Sequence, residues 1–180
     1  MKQIRIHGRG GQGVVTAAEL VAIAAFNDGH EAQAFPSFGV ERTGAPITAF
    51  ARIDEKIIRT REHIQNPDIL IIQDASLLDA VDVLKGCDKN TKIIINSSKD
   101  KKDLKLPQKN LFVIDATKIA LEILGKNIVN TVILGAFAKA EELVSLDALE
   151  KAIKQKFAHK NKDLINKNIK AVKEAYNLNN

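Results

Sequence analysis

Four glycines, an arginine and a glutamine fill the six positions Gly8-Arg9-Gly10-Gly11-Gln12-Gly13 near the start of the chain. Glycine lets a backbone bend tightly and removes the Cβ from the path of an approaching group. Where a helix follows such a turn, its first N–H groups and the positive end of its dipole point outward and favour an anion. Arg9 adds a formal charge and a planar fork of donors, and Gln12 adds a neutral amide that can donate or accept. A second stretch, Pro36-Ser37-Phe38-Gly39-Val40-Glu41-Arg42-Thr43-Gly44-Ala45-Pro46, is rich in turn formers yet carries an acid, a base and an aromatic. Long, chemically mixed loops between short strands are more often functional than most loops. The plain alternative is a surface loop with an incidental Glu41–Arg42 pair.

The elements that would position these loops alternate. Residues 3–7 alternate as a strand into the glycine turn, and residues 14–22 read as a buried, alanine-rich helix ended by Asn27-Asp28-Gly29. Residues 31–35 and 47–53 predict two further strands, and after a turn at 54–56 residues 57–60 are expected to return as a hairpin partner. Unbroken apolar runs at 69–72, 92–97 and 111–115 suit strands covered on both faces. Helical spacing is seen at 75–84 and 117–124, and 98–110 reads as a lysine-rich loop. Beyond Gly125 only helix is expected: 131–144, then 146–157 behind an N-cap at Ser145, then 162–176. The pattern predicts one domain over residues 1–180 of the α/β class. Its core is a Rossmann-like, mainly parallel sheet flanked by helices, with one β-hairpin near the edge and a helical C-terminal region. In open sheets of this kind the functional crevice lies at the carboxyl ends of the strands. Both special loops follow strands and are expected on that rim.

Composition narrows the function further. With 180 residues, 45% hydrophobic and 27% charged, the chain can bury a proper core. Its single cysteine, Cys87, excludes an internal disulfide framework and any cysteine-held cluster made by this chain alone. That suits a reducing, cytoplasmic setting. No signal peptide is read, and no apolar run approaches the roughly 20 residues of a membrane span. A net charge of +5 comes largely from lysines beyond residue 85, interleaved with acids at helical spacing in the last third. Such spacing describes a solvated helix face. No Trp and one Tyr leave no stacking platform, so neither nucleic acid nor membrane is expected as a partner.

Gly8, Gly10 and Gly13 satisfy a G-x-G-x-x-G fingerprint between strand and helix, but the acid expected at the end of the second strand is absent where Phe35-Pro36-Ser37 stand. No Gly-Lys-Ser/Thr follows, so it is no P-loop. Three readings stay open: a dinucleotide turn, a bare tight turn, and a turn serving an anion or a partner group. His7 beside the turn reads as part of the rim, and Asp74 and Asp115 either cap the next helix or face the crevice. His30, His63 and His159 show no metal-ligand spacing, so no metal site is expected.

At its two loops the sequence resembles the gamma subunit of 2-oxoacid:ferredoxin oxidoreductases, with the pyruvate enzyme the nearest likeness. Three features carry it: Gly8 to Gly13, the segment Gly39-Val40-Glu41-Arg42-Thr43-Gly44-Ala45-Pro46, and the strand residues Ile47 to Ile53 that follow. It extends to Asn130-Thr131 and Leu134-Gly135-Ala136. The family often has Pro where Val40 stands and Arg where Thr43 stands, and the Gly-Ala-Pro ending is similar to that of pyruvate or branched-chain enzymes. The resemblance implies a complex that decarboxylates a 2-oxoacid on thiamine diphosphate and Mg, passes electrons through [4Fe–4S] clusters to ferredoxin and gives the acyl group to coenzyme A. Those cofactors would lie on partner alpha, beta and delta subunits. In this chain Gly8, Arg9, Gly10, Gly11, Gln12 and Gly13, with Glu41, Arg42, Thr43 and Gly44, would face the partners and help admit coenzyme A. No catalytic residue is assigned. The rival readings are a free-standing Rossmann-type dinucleotide-binding dehydrogenase domain and a nucleic-acid binder using the C-terminal lysines.

Overall fold

A computed structural model describes residues 1–37 and 42–178. In chain order the elements are β1 (Lys2–Arg9), α1 (Val14–Asn27), β2 (Glu31–Pro36), β3 (Pro46–Asp54), β4 (Ile69–Ile72), β5 (Lys92–Asn96) and β6 (Leu111–Ile114), then α2 (Ala116–Leu124), α3 (Val132–Glu141), α4 (Leu146–Lys156) and α5 (Lys162–Asn177). The strands form one six-stranded sheet in the order β2-β3-β1-β4-β5-β6. β1, β4, β5 and β6 are parallel, while β3 runs against both of its neighbours, β1 and β2. The fold is therefore the expected mixed α/β sheet, with an antiparallel hairpin at its edge.

Side-chain parity explains the two faces. Ile4 and Ile6, Ala49 and Ala51, Ile69 and Ile71, Ile94 and Ile114 point to one side, where they meet apolar residues from all five α-helices. α1 is buried along Val14, Ala17, Ala18, Leu20, Val21, Ala24 and Ala25, because small alanines let it lie between the sheet and α4. α3 is buried from Val132 through Ala138, and Gly135 lets it approach α5 so closely that a Cβ there would meet Ala175 at 2.9 Å. The opposite face, Leu70, Ile72, Ile93, Ile95 and Leu111, is covered by Leu77, Val83, Leu104 and Leu106 from turns and short 3₁₀ segments. Two-sided burial is why these strands read as continuous apolar runs.

Two expected elements differ. Residues 57–60 form no strand, since β3 already pairs with β2 on one edge and β1 on the other. The chain instead crosses the sheet: Ile64 is buried, His63 stacks on Phe50 at 5.0 Å, and the carbonyls of Glu62 and Gln65 accept from Arg52 and Arg5. The edge hairpin is β2–β3, closed by the 37–45 connection. Residues 75–84 hold only a 3₁₀ turn, Ala75–Asp79. The carbonyls of Val83 and Lys85 accept from the Arg5 guanidinium at 3.0 and 2.6 Å. α3 ends early because Glu142 takes a left-handed conformation with φ 51°. Ser145 caps α4 as expected, accepting from the Ala148 N–H at 3.1 Å.

Candidate functional site

The glycine turn joins the end of β1 to α1, and the 42–45 segment leads into β3, whose first residue Pro46 stands opposite Arg9. The two loops thus lie on one rim, and they touch. The Gly10 N–H donates to the Ala45 carbonyl at 2.8 Å, and the Gly44 N–H donates to the Gly10 carbonyl at 3.0 Å. This approach requires glycine at position 10, because a Cβ there would fall inside the carbonyl of Arg42, 3.0 Å from its carbon and 3.3 Å from the Thr43 Cα. Gly44 supplies the left-handed bend, φ 82°, for the turn in which the Ala45 N–H donates to the Arg42 carbonyl at 3.0 Å.

Within the turn, the Gln12 side-chain oxygen accepts from the Arg9 N–H at 2.7 Å, closing the loop on itself. Its amide nitrogen donates to Asp74 at 2.9 Å. Arg9 reaches across both loops, donating to the Gly44 carbonyl at 3.0 Å and to the Ser76 hydroxyl at 2.8 Å, with its Nε 3.3 Å from Asp74. Asp74 in turn accepts from the Ser76 N–H at 3.0 Å and its hydroxyl at 2.6 Å. Burial pushes the Asp74 carboxyl up, but the Ser76 hydroxyl, the Gln12 amide, the Ser76 N–H and Arg9 outweigh it and hold it below the ordinary carboxylate range. Ser76 and Asp74 thus orient Arg9. Of the two roles open to Asp74, cap and crevice group, it takes both: it caps the Ala75–Asp79 turn and lines the crevice at the strand ends, and its hold on Gln12 and Arg9 arises only through the β1–β4 pairing. Asp115 is likewise a cap, accepting from the Lys118 N–H at 2.9 Å.

Gly13 is the N-cap of α1, with φ 72° and no side chain to close the leading N–H groups, and the first turn carries no acid. Asn130 packs over it, donating to its carbonyl at 3.4 Å. These groups line a cavity of about 370 Å³ between the two loops, formed by Gly10, Gly11, Gly13, Val14, Arg42 and Thr43 among others. An open helix N-terminus with one exposed arginine beside it can hold an anion. Glu41, the acid of the second loop, lies outside the described residues. His7 is buried under the rim, with Nδ1 3.4 Å from the Thr48 hydroxyl. Burial first, and then Arg5, lowers its pKa to about 4, so it is neutral near pH 7.

The topology also separates this turn from a dinucleotide site. There the ribose-binding acid ends the strand next to β1; here β3 stands between β1 and β2, and β2 ends in Pro36.

The pyruvate ferredoxin/flavodoxin oxidoreductase family model matches residues 3–178. This chain belongs to that family. The pyruvate/ketoisovalerate oxidoreductases common subunit gamma of Pyrococcus furiosus is 52% identical over 180 residues, covering 98% of this chain and 96% of its own. Pyruvate synthase subunit PorC of Methanocaldococcus jannaschii is 52% identical over 177 residues, with the same coverage. The crystal structure of pyruvate oxidoreductase subunit PORC from Thermotoga maritima has 36% sequence identity and a TM-score of 0.83, across 97% of this chain and 94% of that one. The relatives are named as subunits of oxidoreductases. No helix among the described residues is long and apolar enough to cross a membrane.

Proposed function

We propose that this chain is the gamma subunit of a pyruvate (2-oxoacid):ferredoxin oxidoreductase, in which the joined rim of residues 8–13 and 42–44 helps admit coenzyme A. The observation that carries the reading is the backbone lock between Gly10 and the 44–45 segment. It brings the exposed Arg42 and the uncapped start of α1 around one cavity. Coenzyme A carries phosphates, which suit N–H groups at a helix start and an arginine fork. Gly11 and Gly13 supply backbone without side chains, Arg42 supplies charge, and Arg9 is held against Ser76 and Gly44 so that the loop keeps its shape.

The complex oxidatively decarboxylates the oxoacid on thiamine diphosphate and Mg, sends electrons through [4Fe–4S] clusters to ferredoxin and forms acyl-coenzyme A. The residues present here do not fit those groups: with one cysteine the chain cannot ligate a cluster, and no cluster of three metal-ligating side chains forms among the described residues. They belong on the alpha, beta and delta subunits, and no step of theirs runs through this chain. A lone cysteine suits a cytoplasmic complex.

The test is co-expression with the alpha, beta and delta chains. The isolated chain should be inactive and should turn over pyruvate only within the complex. Turnover by the isolated chain, or its tight binding of NAD(H), would overturn the assignment.

A further inference from the structure

Asn130 and Thr131, the two residues ahead of α3, are types that ordinarily cap the helix they precede. Here the Thr131 side chain makes no bond to the first turn of α3. It turns to α5 instead: its hydroxyl donates to Asn168 Oδ1 at 2.7 Å, and Asn168 Nδ2 donates to the Leu164 carbonyl at 2.8 Å. The Thr131 N–H donates to Asn130 Oδ1 at 2.9 Å, and Asn130 Nδ2 donates to the Gly13 carbonyl at 3.4 Å. A Cβ on Gly13 would collide with that nitrogen, so glycine is what admits the amide. The whole chain of polar groups is buried, Thr131 at 0% exposure and Asn130 and Asn168 at 6%. Apolar groups of the same shape would serve stability about as well. What a fully bonded polar chain adds is one fixed arrangement.

The part it fixes is the start of α1. The Gly13 carbonyl and the Val14 N–H belong to one planar peptide unit, so an amide that holds the carbonyl also aims the N–H. The N–H groups of Val14, Val15 and Thr16 donate to no described residue, and Gly13 has no side chain to cap them. An uncapped first turn behind a glycine is the part of a helix most prone to fray. Gly13, Val14 and Val15 line the rim cavity, whereas Asn130 is not part of its lining. Asn130 therefore acts through the peptide it holds.

We infer that Asn130 is a positioning residue: it aims the leading N–H groups of α1 at the phosphates of coenzyme A, and Thr131 and Asn168 hold it in place from α5. The inference rests on the coenzyme A reading of the rim given above.

The test is steady-state kinetics and melting of the co-expressed complex carrying Asn130→Leu, with Arg42→Gln and Ile93→Val as references. Asn130→Leu removes the donor at similar volume. The KM for coenzyme A should rise roughly three- to tenfold, the worth of one neutral hydrogen bond, while the KM for the oxoacid stays at its wild-type value. Melting should fall, because the Thr131 N–H loses its acceptor. Ile93→Val, a truncation in the core on the opposite face of the sheet, lowers melting too and should move neither KM. The double variant Thr131→Val/Asn168→Leu replaces both partners of the α5 bond, the exchange that costs least stability, and carries the test if Asn130→Leu does not assemble. Its KM for coenzyme A should rise by roughly twofold or more. A wild-type KM for coenzyme A in either assembled variant, or equal rises for both substrates, would overturn the inference; a raised KM in Arg42→Gln would then leave the rim reading standing. No rise in any of these variants would overturn both.

Discussion

Replacing Gly10 with alanine tests whether the two rim loops work as one unit. The new Cβ would fall inside the Arg42 carbonyl, and restoring normal contact requires the 42–45 segment to move by roughly 1 Å. That shift breaks the Gly10–Ala45 and Gly44–Gly10 backbone bonds and loosens the Arg9 bond to the Gly44 carbonyl. At about 0.5–1.5 kcal/mol net for each, the lock loses about 2–4 kcal/mol. The rim can open locally without unfolding the sheet, so global unfolding should register only part of that loss: a fall in Tm below about 10 °C for a chain of this size. Coenzyme A-dependent turnover by the assembled complex should fall much further. Gly44→Ala is the matched control, because a Cβ there meets nothing within 4 Å and pays only for its φ of 82°, about 1 kcal/mol. Melting curves and turnover on both variants decide the matter. A Gly10→Ala complex with wild-type turnover would refute the idea that the loops are locked for function.

Three further outcomes follow from the same geometry. Asp74→Asn removes the charge that orients Arg9 and one of the acceptor sites used by Ser76 and Gln12, and should cost about 1–3 kcal/mol in urea unfolding. The folded Asp74 carboxyl lies below its unfolded value, so its stabilisation is complete at neutral pH and is lost as pH falls through the folded value; the variant's acid limb should be shallower. His7 has the same sign. Its folded pKa of about 4 lies below the unfolded 6.5, so the unfolded chain takes up the proton first, and stability should decline as pH falls from 6.5 towards 4. At 1.36 kcal/mol per pH unit the limit is about 3 kcal/mol, and His7→Gln should abolish the decline in urea midpoints. Gly135→Ala should force α3 from Val172, Ala175 and Tyr176 on α5, costing about 1–3 kcal/mol by thermal melting.

Much of the fold was legible because burial writes itself into strand composition. β4 and β5 are covered on both faces and read as unbroken Ile and Leu, and Ser145 announced α4 by its cap. Partner choice was not legible. Nothing in residues 57–60 shows that both edges of β3 are taken, or that the alternating Arg5 and Arg52 lie under a crossing segment rather than in water. Nor does anything in 75–84 show that this stretch holds only a 3₁₀ turn, with the Val83 and Lys85 carbonyls bonded to the distant Arg5. At the site, glycine content and loop chemistry marked Gly8 to Gly13 and Arg42 to Gly44. Asn130, which covers Gly13, was marked only through the family resemblance, and Ser76, which holds Arg9, carries no local signal, because its role arises only when distant segments meet.

Steady-state kinetics on the complex carrying Arg42→Gln ask directly whether the joined rim receives the phosphates of coenzyme A. Loss of one charge-assisted bond at an exposed position, about 1.5 kcal/mol, should raise the KM for coenzyme A roughly tenfold and leave the KM for the oxoacid unchanged. An unchanged KM for coenzyme A, or equal rises for both substrates, would contradict it.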